Sequence, residues 1–273
     1  MSGFNLPDNN IQISFSGGRT SAFMLYKIVQ ENEGLPDNVK VLFANTGREM
    51  PETLDFVRDC QEKWGVDVVW LEYDKDGKKT TYKVTDYENA SREGEPFEKL
   101  IESRNHLPNT VMRFCTSELK VLTMKRYLTK ECGWKKWVSA IGIRYDEVHR
   151  VKQSKDKRWE NWYPLVDAEI TKQEMHEFWQ RQNFNLDLPT PNGSSPKGNC
   201  DFCFLKSEAI LASMVREHPE RVVWWQKMEQ KIGSTFRDKR DMTKFTDFIQ
   251  RQRDWIFDDE SFLCQASDGE CTE

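Results

Sequence analysis

Two stretches of the chain combine residue types and spacing that could do chemistry. The first is Ser14-Phe-Ser16-Gly17-Gly18-Arg19-Thr20-Ser21, set between a short apolar alternation, Ile11 to Ser16, and a segment with helical spacing at Phe23, Met24 and Ile28. A turn from strand to helix offers unpaired backbone N–H groups at the positive end of the helix dipole, which suits an anion. Gly17 and Gly18 let the backbone approach a phosphate closely, and Ser16, Thr20 and Ser21 add hydroxyl donors. The loop is neither a Walker A loop, which needs Gly-Lys-Ser/Thr, nor a G-x-G-x-x-G dinucleotide turn. The second stretch is Cys200-Asp-Phe-Cys203, which follows a loop rich in Pro, Gly and Asn and precedes a helical pattern. Such a knuckle presents two thiolates to one metal or cluster. Further ligands are available in Cys115, Cys264 and Cys271. Zinc, iron–sulfur and a redox dithiol all use the spacing, although a thioredoxin-type dithiol directly follows a strand and this pair does not. With no His at finger spacing and no second CxxC, a [4Fe-4S] cluster on Cys115, Cys200, Cys203 and Cys264 is favoured over structural zinc, with Cys271 the alternative fourth ligand.

Periodicity supplies the elements that must position these groups. Lys40 to Ala44 is a nearly continuous apolar run, as expected of a parallel strand buried on both faces, and it stops at Asn45-Thr46-Gly47. A helix is expected from Pro51 to Trp64, a third strand over Val66 to Leu71, and a fourth over Trp137 to Ile143, ending at Gly142-Ile143-Arg144. This alternation predicts an open parallel α/β sheet that binds ligands outside the carboxyl ends of its strands. Tyr73 to Thr110 reads as a polar insertion with little helix, Glu118 to Glu131 as a helix closed by Gly133, and the sheet signal ends after Ile143. Thr171 to Glu174 is a capping box, and helices are expected over Ser207 to Glu217, Pro219 to Ile232 and about Thr243 to Ile256. The chain therefore divides into an α/β domain, 1–168, and a helical region with the CxxC, 169–273.

Composition narrows the function classes. Of 273 residues, 40 Lys+Arg against 45 Asp+Glu give −5, so no overall basic excess points to nucleic acid. Ten Trp and 37% hydrophobic residues indicate a packed core. No run of eighteen apolar residues suggests a membrane span, and Met1 to Asn10 lacks the pattern of a secretory signal. A cytoplasmic setting is expected, in which seven Cys are reduced or metal-bound. One local basic run, Lys152, Lys155, Lys157 and Arg158 beside Trp159 and Trp162, would suit an RNA or DNA strand, its plainer reading being a solvated loop.

The loop Ser16 to Ser21 resembles the SGGxDS loop of the PP-loop (adenine nucleotide alpha hydrolase) superfamily. Asn45-Thr46-Gly47 with Glu49, Pro51, Glu52 and Thr53 is similar to the DTG-x-x-x-PET segment of its phosphoadenosine-phosphosulfate (PAPS) reductase-like branch. Arg113-Phe-Cys115 with Lys120-Val121 resembles that branch's cysteine-helix segment, and Gly142-Ile-Arg144-Tyr-Asp146-Glu147 with Arg150 resembles its G-x-R-x-x-E-S-x-R segment. The resemblance implies a doubly wound, mostly parallel sheet with an adenine nucleotide, ATP or PAPS (or its adenylyl-sulfate analogue), across its carboxyl end. It implies that Ser16 to Ser21, Asn45, Thr46, Gly47, Gly142 and Arg150 bind the nucleotide, and that Arg144, Asp146 and a mobile Cys271 act on it. A [4Fe-4S] cluster beside the nucleotide, a tRNA or DNA acceptor, a sulfur-donor protein and a homodimer are likewise implied as expectations. Two reactions fit: adenylation of an acceptor followed by thiolation, or reduction of a sulfonucleotide. A non-catalytic nucleotide module with structural zinc is the alternative from another class. Thr20 and Asn45 stand where the family commonly has carboxylates, which places magnesium in question. Glu49 reads as a solvated charge at a helix start, Cys132 as a buried packing thiol and Cys60 as core.

Overall fold

The computed structural model describes residues 3–238 and 241–252. Its centre is a six-stranded sheet formed by β1 (Ile11–Ser14), β2 (Val39–Asn45), β3 (Val68–Asp76), β4 (Lys79–Thr85), β5 (Trp137–Ala140) and β6 (Trp159–Trp162), in the order β4-β3-β2-β1-β5-β6. Every pairing is parallel except the β3–β4 hairpin. The helices on its faces are α1 (Arg19–Glu31), α2 (Pro51–Trp64), α3 (Glu95–Arg104), α4 (Leu122–Lys130), α5 (Pro164–Asp167), α6 (Lys172–Gln180), α7 (Glu208–Glu217), α8 (Pro219–Ile232) and α9 (Met242–Gln252). The last three make the helical C-terminal part.

Strand alternation explains the layering. Successive β2 residues point to opposite faces, so Val41 and Phe43 join the larger core, while Leu42 and Ala44 join a smaller one under α4 with Leu71, Met124, Leu128 and Trp137. That is why β2 is apolar at nearly every position rather than at alternate ones. On the larger side, α6 is fixed by a capping box in which Thr171 and Glu174 satisfy each other's backbone N–H groups. Its Trp179 packs edge-on against Phe56 of α2 at 5.1 Å and contacts Trp64 and Phe184.

Three segments differ from the sequence reading. Residues 73–110 are not an unpatterned insertion: β3 runs on to Asp76, turns at Gly77 in the left-handed region (φ 56°), and returns as β4. The solvated Lys-Thr-Thr-Tyr-Lys-Val-Thr edge strand lacks an apolar stripe, which hid it. In the same segment, α3 forms because Phe97, Leu100 and Ile101 share one buried face behind Pro96. The sheet also continues past Ile143, since β6 pairs in parallel with β5 through main-chain bonds that a four-residue Trp-Glu-Asn-Trp cannot advertise. The helix expected from Glu118 opens instead as a π-helical turn, Thr116–Val121, before α4. No helix among the described residues is long and apolar enough to cross a membrane.

Trp179 is 1% exposed, so Trp179→Ala should cost about 3–5 kcal/mol of stability, read as a lower midpoint in chemical denaturation with the slope unchanged.

Candidate active site

The order of the sheet locates the site. The connection β1–α1–β2 moves to one side, whereas β5 pairs on the other side of β1. Between β1 and β5 the winding reverses, and a doubly wound sheet opens a crevice there at its carboxyl edge. The Ser16 to Ser21 loop sits at that point. The Ser16 amide donates to Ser21 Oγ at 3.1 Å, the two hydroxyls lie 2.9 Å apart, and Ser21 Oγ donates to the Gly18 carbonyl at 3.0 Å. Ser21 thus closes the loop on itself, and the amides of the first turn of α1 have no intrahelical acceptor.

Gly17 has φ +80°, and a Cβ there would meet Thr53 Cγ2 at 2.7 Å and Val57 Cγ2 at 3.1 Å. The glycine is therefore demanded by backbone conformation and by packing on α2. Gly142 has a different role: a Cβ on it would stand 3.1 Å from the Ser21 Cα, so the chain leaving β5 packs directly on the loop.

A cavity of about 100 Å³ lies on the Ser16 and Ser21 side, walled also by Ser14, Met124, Trp137 and Gly142. A groove of about 370 Å³ adjoins it, sharing Val121, Ile141, Trp159 and Asn161 and carrying Arg150, Lys152 and Lys155. Trp159 stacks on Trp137 at 5.3 Å. Ser16, Ser21 and Gly142 thus line the cavity, and Arg150 lines the adjoining groove.

Gly17, Gly18, Arg19, Thr20 and Arg144 face a second, smaller cavity. Arg144 is almost fully buried; its Nε and Nη2 donate to the two Asp146 oxygens, each at 3.1 Å, and its Nη1 donates to Thr20 Oγ1 at 3.1 Å. Glu147 adds a contact at 3.3 Å and also accepts from Arg150. The guanidinium therefore ties the helix start at Thr20 to the segment after β5.

The turn after β2 forms a third group. Asn45 donates to the buried Glu72 carboxylate at 2.7 Å and accepts from the Gly47 amide at 3.0 Å. A carboxylate at 45 would face Glu72 with like charge, which accounts for the amide here. Glu49 is buried and accepts from the Thr46 amide at 2.9 Å and from its hydroxyl. The solvated reading of Glu49 is corrected accordingly. Thr46 Oγ1 lies 3.3 Å from Cys200 Sγ, and Glu49 and Cys200 form a backbone bridge.

Asp201, inside the CxxC, is fully buried and accepts from Arg48, from Arg221 Nε at 2.8 Å and from Trp225 Nε1 at 2.7 Å. The knuckle is thus clamped onto the turn that carries Asn45, Thr46 and Gly47. Arg48, Glu72, Asp201 and Arg221 escaped the sequence reading, because their roles come from partners distant along the chain rather than from any local spacing.

Cys115 directly precedes the π-helical turn that packs against β2 and β3, and Cys203 is buried. These thiols have the chemistry for iron–sulfur or zinc. Among the described residues, however, no three His, Cys, Asp or Glu side chains are grouped to hold a metal ion, and Cys264 and Cys271 lie outside the described residues. No disulfide links the described cysteines. Burial pushes the Cys60 thiol far up, so it is a packing group; Cys132 is only partly buried, against the smaller core.

Asp201→Ala leaves Arg48 buried without its carboxylate. The expected loss is about 3–5 kcal/mol, measured by denaturant unfolding, and a loss below about 1 kcal/mol would mean that water replaces the clamp.

An uncharacterised nin-region protein of Escherichia phage lambda is 30% identical over 201 residues, covering 71% of this chain and 66% of its own length. An uncharacterised protein of Methanocaldococcus jannaschii is 26% identical over 167 residues, 58% of this chain and 33% of its own. The chain thus spans just under two thirds of the first relative and a third of the second. A phosphate complex of the phosphoadenylyl-sulfate reductase of Candida auris superposes with a TM-score of 0.43 at 17% identity, covering 68% of this chain and 82% of that one. The phosphoadenosine phosphosulfate reductase domain matches residues 10–187, and this chain belongs to that family.

Proposed function

We propose that the chain is an enzyme of the PP-loop class that binds an adenine nucleotide between β1 and β5 and uses it in sulfur chemistry. The observation that carries this reading is the cavity walled by Ser16, Ser21 and Gly142 at the reversal of the sheet, in a member of this family. Adenosine would occupy the side of Met124 and Trp137, with its phosphates toward the loop amides and the helix dipole. Lys152 and Lys155, which line the groove together with Asp156 and the Glu147-paired Arg150, would be the groups to meet a polyanionic acceptor such as tRNA or DNA.

The finer proposal is ATP-dependent sulfur transfer. An acceptor oxygen attacks the α-phosphorus and pyrophosphate leaves; a sulfur nucleophile brought by a donor protein then attacks the activated carbon, and AMP departs with the C–O bond. Loop amides stabilise the charge that gathers on the leaving pyrophosphate. Arg144, held by Asp146 and Thr20, keeps the loop and the segment after β5 in register. The second reading, sulfonucleotide reduction, is favoured by one observation: the Cys200 thiol stands at the Thr46 turn. In that reading Cys200 is a free nucleophile rather than a cluster ligand: its thiolate would attack the sulfur of the sulfonucleotide, forming an S-sulfo-cysteine and releasing the nucleotide, and a second thiol would then release sulfite and leave a disulfide. Cys271, the expected nucleophile, would serve the same step.

Cys115, Cys200 and Cys203, completed by Cys264 or Cys271, are proposed as thiolates for a [4Fe-4S] cluster, which would supply sulfur or redox chemistry. The described residues do not assemble that site alone, and no step above passes through it.

Three outcomes test the reading. Gly142→Val should lower adenine-nucleotide affinity at least about tenfold by titration calorimetry, because the added side chain pushes on Ser21; unchanged affinity contradicts the cavity assignment. Pyrophosphate formed from ATP supports transfer, whereas sulfite formed from PAPS supports reduction. Protein isolated without air should carry about four iron and four sulfide per chain; one zinc and no sulfide would replace the cluster with a structural metal.

A further inference from the structure

The plainer reading of Lys152 to Arg158 as a solvated loop holds for its basic side chains but not for its main chain. At its start, the Lys152 amide donates to the hydroxyl of buried Tyr163 at 3.1 Å, and the Lys152 carbonyl accepts from that hydroxyl and from Asn161 Nδ2 at 2.9 Å. Further on, Asp156 accepts from Lys125 of α4 and from the Arg158 amide at 3.0 Å, and its main chain exchanges hydrogen bonds with Ser154. These contacts engage the backbone and the one carboxylate of the run. Lys152, Lys155, Lys157 and Arg158 stay exposed, so a fixed backbone presents four cations to solvent. Asn161 is fixed as well. Its Nδ2 donates to the Lys152 carbonyl and to the Tyr163 hydroxyl at 3.2 Å, so the amide cannot be turned round, and its Oδ1 has no hydrogen-bond partner among the described residues.

The groove beside this loop combines two kinds of surface. It measures about 370 Å³, within the roughly 300–1,000 Å³ of pockets that enclose a small ligand. Val121, Leu122, Ile141 and Ile143 give it apolar surface and Trp159 an indole ring, while Lys152 and Lys155 line it from the basic loop. Its carboxylate, Asp156, is paired with Lys125. A phosphate gains nothing from four aliphatic side chains, because its charge must stay solvated or paired. A nucleobase suits them: a planar ring buries apolar surface and stacks on an aromatic side chain, leaving the phosphates on either side to the lysines. Val121, Ile141, Trp159 and Asn161 also line the cavity assigned to adenosine, so a ring in the groove would abut it.

We infer that the groove takes one unstacked nucleobase of a single-stranded polynucleotide, with the flanking phosphates on Lys152 and Lys155. This deepens the acceptor role proposed above and rests on that reading for the placement of adenosine next door. It makes the base, rather than the sugar or phosphate, the part of the acceptor beside the nucleotide. Tyr163 is a positioning residue that acts through Lys152.

The test titrates the full chain, without ATP, by fluorescence anisotropy. One probe is a short labelled deoxyribose-phosphate strand that is abasic throughout; the other is the same strand with a base at its centre, each common base in turn. The base should tighten binding to wild type at least about fivefold. Trp159→Leu should lose that gain while binding the abasic strand as before. Ser117→Leu, which takes up groove space and does not line the adenosine cavity, should lose it too and serves if the first variant does not fold. Lys152→Gln with Lys155→Gln should weaken both strands alike and lower the slope of log affinity against log salt by about 1 to 1.5. Equal affinity for the two strands in wild type, a gain that survives in both groove variants, or an unchanged salt slope overturns the inference. ATP affinity is measured on the same protein without a strand. A base gain without ATP binding would count against the nucleotide reading alone, and ATP binding without a base gain against this inference alone. The same pair of strands built on ribose identifies an RNA acceptor if it binds more tightly, and a DNA acceptor if it does not.

Discussion

The buried contact of Arg48 with Asp201 is the constraint on which the rest of the site depends. One partner belongs to the turn after β2, the other to the CxxC knuckle, 153 positions apart in sequence. Both are removed from water, so each charge is tolerable only while the other is present, and Arg221 and Trp225 complete the carboxylate's acceptor sites. Pairing of this kind contributes less to net stability than to geometry. It holds the Cys200 thiol at Thr46, and hence holds the helical C-terminal part against the carboxyl edge of the sheet, where a doubly wound fold leaves room for a ligand.

A similar logic governs the loop. Ser21 ties Ser16 and Gly18, Gly17 fits under the first turns of α2, and Gly142 fits over Ser21, so the backbone from 16 to 21 has little freedom. Rigid amides that need no rearrangement are what electrostatic stabilisation of a phosphate requires. Among the described residues no carboxylate pairs with Arg19, whereas Arg144 is matched by Asp146 and Glu147. Neighbouring guanidiniums of the same cavity thus divide their labour: one holds the walls together and the other faces the space between them.

Much of this was legible in the sequence, for identifiable reasons. Residues such as Val41, Phe43 and Val138 are apolar because the strands are buried on both faces, and Pro51, Thr171 and Ser207 mark helix starts through chemistry local to a few residues. The Gly-rich loop could be placed between strand and helix without knowing what lay around it. What could not be read depends on partners distant along the chain. Glu49 looks like any acidic residue near a helix start until Thr46 folds back on it, and Glu72 gains its meaning only from Asn45 and Ser91. Edge strand β4 and short β6 are specified by main-chain pairing with neighbours rather than by their own periodicity. Gly17 was legible as a necessary glycine, but the crowding of any Cβ there by Thr53, Val57 and Phe43 was not.

The most direct test of the account is a crystal structure of the chain with a non-hydrolysable ATP analogue. The account predicts the purine between Met124 and Gly142 and phosphate oxygens against the amides that follow Ser16. Purine density elsewhere, with side chains collapsed into that cavity, would contradict it.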